Sequence, residues 1–580
     1  MTSDQAEAPE TVAKRIVEFL VARGIDRIFG LCGGHIMPIW DQVARAGIRI
    51  VDVRDERAAA HMAHAHAELT GSIGVVLATA GPGVTNAITG IVNAHVARAP
   101  VVVLSGVPPR PQEQMGALQD LVHTDLLDSV TRYCRTVREA AHVLPAMDAA
   151  FARALGEGGV PGPVYVDFPT DILRARLPRH QVLPEHVAPR PAPQMPPDPA
   201  AVAEAVDALW GAKRPLVISG RGARGAGPEI CALLDALDAL YLDTSESRGL
   251  VPDSHAAAVS SLRGKAMEEA DVVLTLGRKL DFQLAYGSPA VFKQARFVRL
   301  AAHAEELNDN RRGTPEILAT PALALQAILA AAGNRKSATD GAWTQGMRAK
   351  HAEKRKKFAD LLRKAPPGSD GYMHPNRLLS ALQERIAPDA VTIADGGDIL
   401  SFARVALSAG PYMDPGSLGC LGVGVPFGIA AALALPGRQV VVVTGDGAFG
   451  FNAIEVDTAV RHDAKVVFVI ANNGAWNIEC YDQRVTYDGN LVGTELRHSD
   501  YAGLARALGA HGEQVEDEKD LGDAFARCLE NAPAVLDVRV TREAVSGDGK
   551  AGLAWVPDTQ PLEAWDTAER AWRDGLEKKS

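Results

Sequence analysis

Short runs of near-continuous apolar residues, set between stretches of helical periodicity, constrain this chain more than any other feature. Gly74–Ala78, Pro100–Leu104, Val164–Asp167, Pro215–Ile218, Val440–Val443 and Val466–Ile470 are of this kind. A strand that is apolar along its length is buried on both faces, and helices packed on either side of a parallel sheet supply that burial. Val12–Val21 is amphipathic and Arg27–Leu31 reads as a short strand, so helix and strand alternate from the outset. The fold class expected is α/β, with three doubly wound parallel-sheet units. The proline-rich stretch Pro189–Pro199 can hold neither helix nor central strand, and it separates a first unit, 8–186, from a second, 198–335. A charged helix over Met347–Arg363 and a break at Pro366-Pro367-Gly368 precede a third unit, 370–545, and a tail, 546–580.

Composition narrows the function class. A chain of 580 residues is expected to form three or four domains at about 150 residues each. A net charge of −11, with no Lys/Arg cluster of the nucleic-acid-binding kind, argues against a nucleic-acid surface. The six cysteines are scattered without a C-x-x-C pair, which reads as reduced thiols in a cytoplasmic protein. The first ten residues carry no basic region or apolar stretch, so no signal peptide is expected. No run approaches ~18 uninterrupted apolar residues, so no membrane span is expected either.

The third unit carries the chemistry. Val440-Val-Val-Val-Thr-Gly445-Asp446-Gly447-Ala448 is a strand that delivers one carboxylate at its end, and a helix then starts with free backbone N–H groups facing outward. A second apolar run, Val466–Ile470, leads to Asn472-Asn473-Gly474-Ala475. Asp446 and Asn473 are hard oxygen ligands at two strand ends, suited to a magnesium ion that also holds a diphosphate. Each half alone occurs in ordinary turns. Together at this spacing they resemble the thiamine diphosphate signature of decarboxylases and carboligases, and that resemblance adds the backbone carbonyl of Ala475 as a metal ligand.

The resemblance implies a second half-site. Thiamine enzymes place a carboxylate against the aminopyrimidine ring, and Ile48–Ala63 looks like the family's strand–Glu–helix segment, with Glu56 at the glutamate position. Asp55 stands where the family commonly has His. Thr79-Ala-Gly81-Pro82-Gly83-Val-Thr-Asn86 resembles the loop near the aminopyrimidine, which implicates Pro82 and Asn86. Gly416–Pro426 resembles the segment that bends the cofactor, with Leu421 as the propping side chain and Gly419 beside it. Gly396, Gly397 and Asp398 lie at a further strand end, where backbone amides can meet the diphosphate. In the middle unit, Gly220-Arg-Gly222-Ala-Arg-Gly225 after a strand, with Asp243 following, matches the dinucleotide fingerprint. In the acetolactate-synthase-like superfamily the corresponding domain holds FAD, ADP or nothing, so an ADP-like nucleotide and an empty structural domain both stay open. The three-unit organisation covers nearly the whole chain and resembles the pyrimidine-binding, middle and diphosphate-binding domains of that superfamily.

Finer features resemble one branch. Phe29–Ile36, which contains His35, the Gly116-Ala-Leu-Gln119 segment, and Asp446–Gly450 followed by Glu455-Val-Asp457 are similar to 2-hydroxyacyl-CoA lyases, relatives of oxalyl-CoA decarboxylase. That branch implies cleavage of a 2-hydroxyacyl-CoA to formyl-CoA and an aldehyde or ketone; a decarboxylase or carboligase of 2-oxo acids is the alternative. Gln119 and His35 are then expected at the reaction centre, and Glu495, in the segment after the Asn-Asn motif, as an acid–base group. Arg263, Lys265 and Arg404 are expected to meet the phosphates of coenzyme A. The tail around Trp555 and Trp565 is either a lid or a docked helix. The family's cofactor sits between subunits, which implies a dimer at minimum and a tetramer as the expected form.

Overall fold

The structure, a computed structural model, describes residues 10–189, 194–408 and 410–551, with helical positions at 567, 570–572 and 574–575. The expected lid around Trp555 and Trp565, the first nine residues and part of the proline-rich linker lie outside the described residues. Among the described residues no helix is long and apolar enough to cross a membrane.

Three parallel sheets carry the fold, as the apolar runs imply. The first is six-stranded, in the spatial order Arg49–Asp52, Arg27–Gly30, Gly74–Ala78, Val101–Val107, Val164–Pro169, Cys134–Thr136. The second has five strands, in the order Leu240–Leu242, Pro215–Ser219, Val272–Leu276, Arg296–Ala301, Glu316–Leu318. The third has six, in the order Tyr412–Met413, Val391–Asp395, Val440–Gly445, Val467–Asn472, Ala534–Arg539, His511–Val515. Numbered by sequence within each sheet, the first and third follow the same order, second-first-third-fourth-sixth-fifth. The expected charged helix spans Gly341–Lys364 and is capped by Asp340, whose side chain accepts from the N–H groups of Ala342 and Trp343.

Small residues bring the first and third units into direct contact. The helix Glu56–Thr70 starts on an Asp55 cap that accepts the Arg57 N–H and ends on Gly71 at φ 69°. Its buried Ala58, Ala59, Ala60 and Ala63 let it lie close to the helix Gly424–Ala434, and both helices belong to one apolar cluster. The rings of His61 and His64 meet Phe427 edge-on at 6.0 and 5.1 Å. Glu455, fully buried, accepts the backbone N–H of both Arg54 and Asp55 at 3.0 Å, which ties the start of that helix to the third unit. Arg461 reaches Asp52 at 2.6 Å across the same boundary.

The middle unit is joined differently. Its two apolar clusters contain only its own residues and those of the helix beyond it, Trp343 and Met347. Its link to the first unit is ionic: Glu68 holds Arg221 and, at 2.8 Å, Arg224, while Arg98 holds buried Glu306. The dinucleotide fingerprint is absorbed in internal packing. A Cβ at Gly220 would lie 2.6 Å from the Gly277 carbonyl, and one at Gly222 would lie 2.8 Å from Gly277 Cα, so these glycines admit the neighbouring strand end. Asp243, at the end of the second strand of this sheet, faces Arg248 and Arg263.

Glu68 also bonds His64 at 2.8 Å, and only 9 % of its side chain is exposed. Glu68→Gln leaves two guanidiniums without their anion, and the full chain should lose about 3–5 kcal/mol in guanidinium unfolding. An unchanged midpoint would contradict this account of the boundary.

Candidate functional site

In the third sheet the strands Val391–Asp395, Val440–Gly445 and Val467–Asn472 lie side by side, and their C-terminal ends open into a cleft. Gly396, Gly397, Asp398, Leu421, Asp446, Gly447, Ala448, Asn473 and Ala475 line it, together with Trp476, Asn477, Ile478 and Glu479. Of the third-unit residues expected at the cofactor, Gly419 alone is outside the lining; it ends a 3-10 turn at φ 67°.

The donor set fits a divalent cation and a diphosphate. Asp446 is 1 % exposed, and its Oδ2 is buried without a hydrogen-bond partner among the described residues. Burial pushes its carboxyl up to about 6, against the pull of nearby backbone N–H groups. A buried anion in that condition calls for a cation. Asn473 Oδ1 accepts the Ala475 N–H at 3.0 Å, which leaves it a lone pair. The Trp476 ring lies over Gly447 so closely that a Cβ there would sit 2.5 Å from it, so only glycine fits. Asp398 differs from the expectation in one respect. Its carboxylate is turned away, accepting from Asn477 Nδ2 at 2.9 Å and from the Ser546 N–H at 2.8 Å. What it offers the cleft is the backbone N–H at the start of the helix Asp398–Ala406.

Asp395, one strand over, shapes the Leu421 segment. Its carboxylate is fully buried and accepts the N–H groups of Gly396, Gly422 and Gly424 at 2.7, 3.2 and 2.8 Å. Gly422 has φ 88°, and a Cβ on Gly424 would be 2.9 Å from Asp395 Cβ, so both glycines are required for this hold. Burial raises the Asp395 carboxyl to about 6 despite those bonds.

The second half-site lies at the strand ends of the first sheet. Glu56 is 4 % exposed and accepts from Asn86 Nδ2 at 3.1 Å. Burial raises its carboxyl above the usual range, partly offset by Asn86. Gly83 lies so near that a Cβ there would be 3.2 Å from Glu56 Oε1, and Pro82 opens the helix Pro82–Ala97 that carries Asn86. His35 Nδ1 is 3.0 Å from Gln119 Oε1, and Gln119, at φ 62°, packs over Gly81. Burial lowers the His35 imidazole from its ordinary value. A buried dyad fixes this loop from beneath: His123 Nε2 accepts the Gly81 N–H at 2.8 Å, and Nδ1 faces Asp167 at 3.3 Å. Glu56 is not among the residues lining the cleft of its own chain.

Two expected residues are placed elsewhere. Glu495 pairs through its backbone with Ala475, but its exposed side chain turns out to Arg542 at 2.9 Å and is not part of the cleft lining. Lys265 is exposed and pairs with Glu269 one helical turn on, at 3.2 Å, on the far side from Arg263. Arg263 donates to the Asp243 and Gln283 carbonyls. Burial lowers its pKa, and the charges of Arg278 and Arg404 lower it further. Glu455, His123 and Asp167, which hold backbone in place, and Trp476 and Glu479, which line the cleft, are not assigned to the site by the sequence. Only Glu455 and the segment after the Asn-Asn motif had any signal, being near recognised motifs.

The chain matches three family profiles in order: Thiamine pyrophosphate enzyme, N-terminal TPP binding domain, over residues 10–128; central domain over 202–328; and C-terminal TPP binding domain over 397–538. It is 33 % identical over 568 residues to a probable acetolactate synthase of Mycobacterium bovis, covering 96 % of this chain and 100 % of that one. It is 30 % identical over 561 residues to 2-hydroxyacyl-CoA lyase 2 of Caenorhabditis elegans, covering 90 % of this chain and 86 % of the relative. The human 2-hydroxyacyl-CoA lyase 2 is 30 % identical over 574 residues, with 91 % and 90 % covered.

Asp395 makes stability depend on pH. With a folded pKa of about 6 against an ordinary 3.8, the folded state takes up this proton first, so its contribution grows as pH falls from 7 to 5. Relative to Asp395→Asn, the cofactor-free wild type should gain about 1 kcal/mol over that interval in urea unfolding. A difference between the two proteins that stays constant with pH would overturn it.

Proposed function

The chain belongs to the thiamine pyrophosphate enzyme family and is an enzyme acting on carbon–carbon bonds; on that premise we propose that it cleaves the C1–C2 bond of a 2-hydroxyacyl-CoA. The products are formyl-CoA and an aldehyde or ketone, and the reverse acyloin condensation uses the same groups. Thiamine diphosphate, when bound, supplies the nucleophilic carbon and the electron sink. Asp446, Asn473 and the Ala475 carbonyl would hold magnesium, and the amides of Gly396, Gly397, Gly447 and Ala448 would meet the diphosphate. Glu56 would hold a proton at the aminopyrimidine, for which its raised carboxyl suits it. Leu421 would prop the cofactor, and Gln119 with His35 would face the reacting carbons.

The observation that carries the choice of a CoA thioester is a group of guanidiniums where the middle and third units meet. Arg263 feels the charges of Arg278 and Arg404, and Arg248 stacks 4.8 Å over Tyr412 while donating to the Arg404 carbonyl. Arg404 lies on the helix that begins at the cleft with Asp398, two turns along at ~1.5 Å per residue. A thioester whose acyl end enters the cleft would lay its phosphates along that helix toward these cations. Relatives named as 2-hydroxyacyl-CoA lyases support this reading. The relative named probable acetolactate synthase supports the alternative, a decarboxylase or carboligase of 2-oxo acids.

We also propose a homodimer at minimum, and a pair of such dimers as the expected form. Glu56 is absent from the cleft lining of its own chain. Met115 and Leu118 beside Gln119 are 77 and 79 % exposed, and Phe451 and Ile454 beside the cleft are 44 and 43 % exposed, apolar surface that a second copy would cover.

Purified protein with thiamine diphosphate and magnesium, offered a panel of 2-hydroxyacyl-CoAs and 2-oxo acids, should release formyl-CoA from the former. Carbon dioxide from the 2-oxo acids, with no formyl-CoA, would favour the alternative. Arg404→Ala should raise KM for the CoA thioester roughly tenfold, the scale of one charge-assisted contact. With a truncated thioester lacking the phosphates the variant should match the parent; an equal loss on both would place Arg404 outside the phosphate site.

A further inference from the structure

We propose that His511, Glu513 and Cys528 form a binding site for a zinc-like divalent cation, separate from the magnesium site proposed in the cleft and independent of the substrate that the cleft takes. One donor atom from each of the three lies within 4.8 Å of the other two. His511 and Glu513 are alternate residues of the strand His511–Val515, so their side chains share one face. On that face packs the helix Glu518–Glu530, which carries Cys528; Val515, Leu521, Phe525 and Cys528 belong to one apolar cluster. The strand is the edge of its sheet, and His511 begins it opposite Ala534. The cluster therefore lies at the other end of the strands from the cleft. Strand and helix each supply donors, so no C-x-x-C spacing announces the site.

The state of each donor suits a cation. Cys528 is fully buried, and among the described residues no hydrogen bond engages its Sγ. Burial, with the Glu513 charge beside it, pushes its thiol up to about 12, so a bound cation is what would take its proton off. Hydrogen bonds from Arg527 hold the Glu513 carboxyl below its usual range, so it is an anion. Arg527 donates to Glu513 from Nε at 2.9 Å and from Nη2 at 2.6 Å, and His511 Nε2 lies 2.8 Å from Oε1. Arg527 thus orients the carboxylate as outer-shell partners orient metal ligands. Its charge offsets part of the attraction for a cation, which sets the site below a closed four-ligand centre in affinity. The side chains of His511 and Glu513 are 31 and 18 % exposed, which gives an ion its way in.

The donor set selects the ion. Imidazole nitrogen and thiolate sulfur beside one carboxylate oxygen suit zinc, whereas magnesium and calcium take oxygen ligands. Bonds of about 2.0–2.3 Å set tetrahedral donors roughly 3.3–3.8 Å apart, so small side-chain rotations close the present spacing. On binding, the imidazole holds its proton on Nδ1, the thiol proton leaves to solvent, and a water completes four ligands. The bound ion would tie the edge strand of the third sheet to the helix that covers it.

The test uses tag-free, full-length protein saturated with thiamine diphosphate and magnesium, titrated with Zn2+ and separately with Co2+. One equivalent of Zn2+ should bind with a Kd of about 1 µM or below. Bound Co2+ should show a thiolate-to-cobalt charge-transfer band in the near ultraviolet. C528S, H511Q and E513Q should each weaken uptake by about a hundredfold or more, the upper end of what losing an outer-shell partner costs. C32S, which removes the exposed thiol, should bind as the parent does. Zn2+ should raise the thermal midpoint of the parent by several degrees and leave that of C528S unchanged. Should C528S fail to fold, H511Q and E513Q, altered at side chains with solvent access, decide the matter by loss or retention of the cobalt band. No zinc uptake at micromolar concentrations, a cobalt spectrum without the thiolate band, or a band that survives H511Q would each overturn the site.

Discussion

Carboxylates taken out of water at strand ends and helix starts are what the remainder of this structure is arranged around. Glu56, Asp395, Asp446 and Glu455 are each at most 4 % exposed, and burial pushes each carboxyl upward. An anion in that position is costly unless something answers it. Three backbone N–H groups answer Asp395, and two N–H groups with the Thr458 hydroxyl answer Glu455. Asn86 answers Glu56 in part. Asp446 retains an unanswered oxygen, the mark of a position that a cation completes. The glycines of the Leu421 segment and the small residues of the Glu56–Thr70 helix follow from this, since only they allow backbone to approach so closely.

Much of this was legible in the sequence, for identifiable reasons. Apolar runs define buried parallel strands whatever their partners, so the sheets and the strand-end placement of Asp446, Asn473 and Gly396 follow directly. Position along a strand or at a helix start is a local property. The orientation of a side chain in an irregular segment is not, and there the reading failed. Glu495 pairs through its backbone with Ala475 at the rim of the cleft, yet it points outward to Arg542, a residue distant in sequence. Lys265 and Arg263 are both expected at the CoA phosphates by resemblance, yet the helix that carries them sends Lys265 to Glu269 and Arg263 to the Asp243 carbonyl.

The middle unit teaches a different lesson. A strand entering G-x-G-x-x-G with an acid after the next strand satisfies the dinucleotide fingerprint, and both strands form as that pattern requires. The glycines nonetheless serve the close approach of Gly277, and the acid faces arginines. Glycine in a turn reports that something comes close; whether it is a ligand or another piece of chain is decided by residues far away in sequence.

The two boundaries of the first unit are made of different materials. Toward the third unit runs a shared apolar cluster with polar contacts from Glu455 and Arg461 at its edge, whereas toward the middle unit stand buried ion pairs. Apolar association weakens on cooling, and the desolvation penalty of ion pairs eases on warming. The molecule thus has a cold-sensitive seam and a heat-tolerant one, meeting at a single helix. Since Glu56 begins that helix and Glu68 lies near its end, the seam that loosens in the cold is the one that sets the position of the buried Glu56 carboxyl.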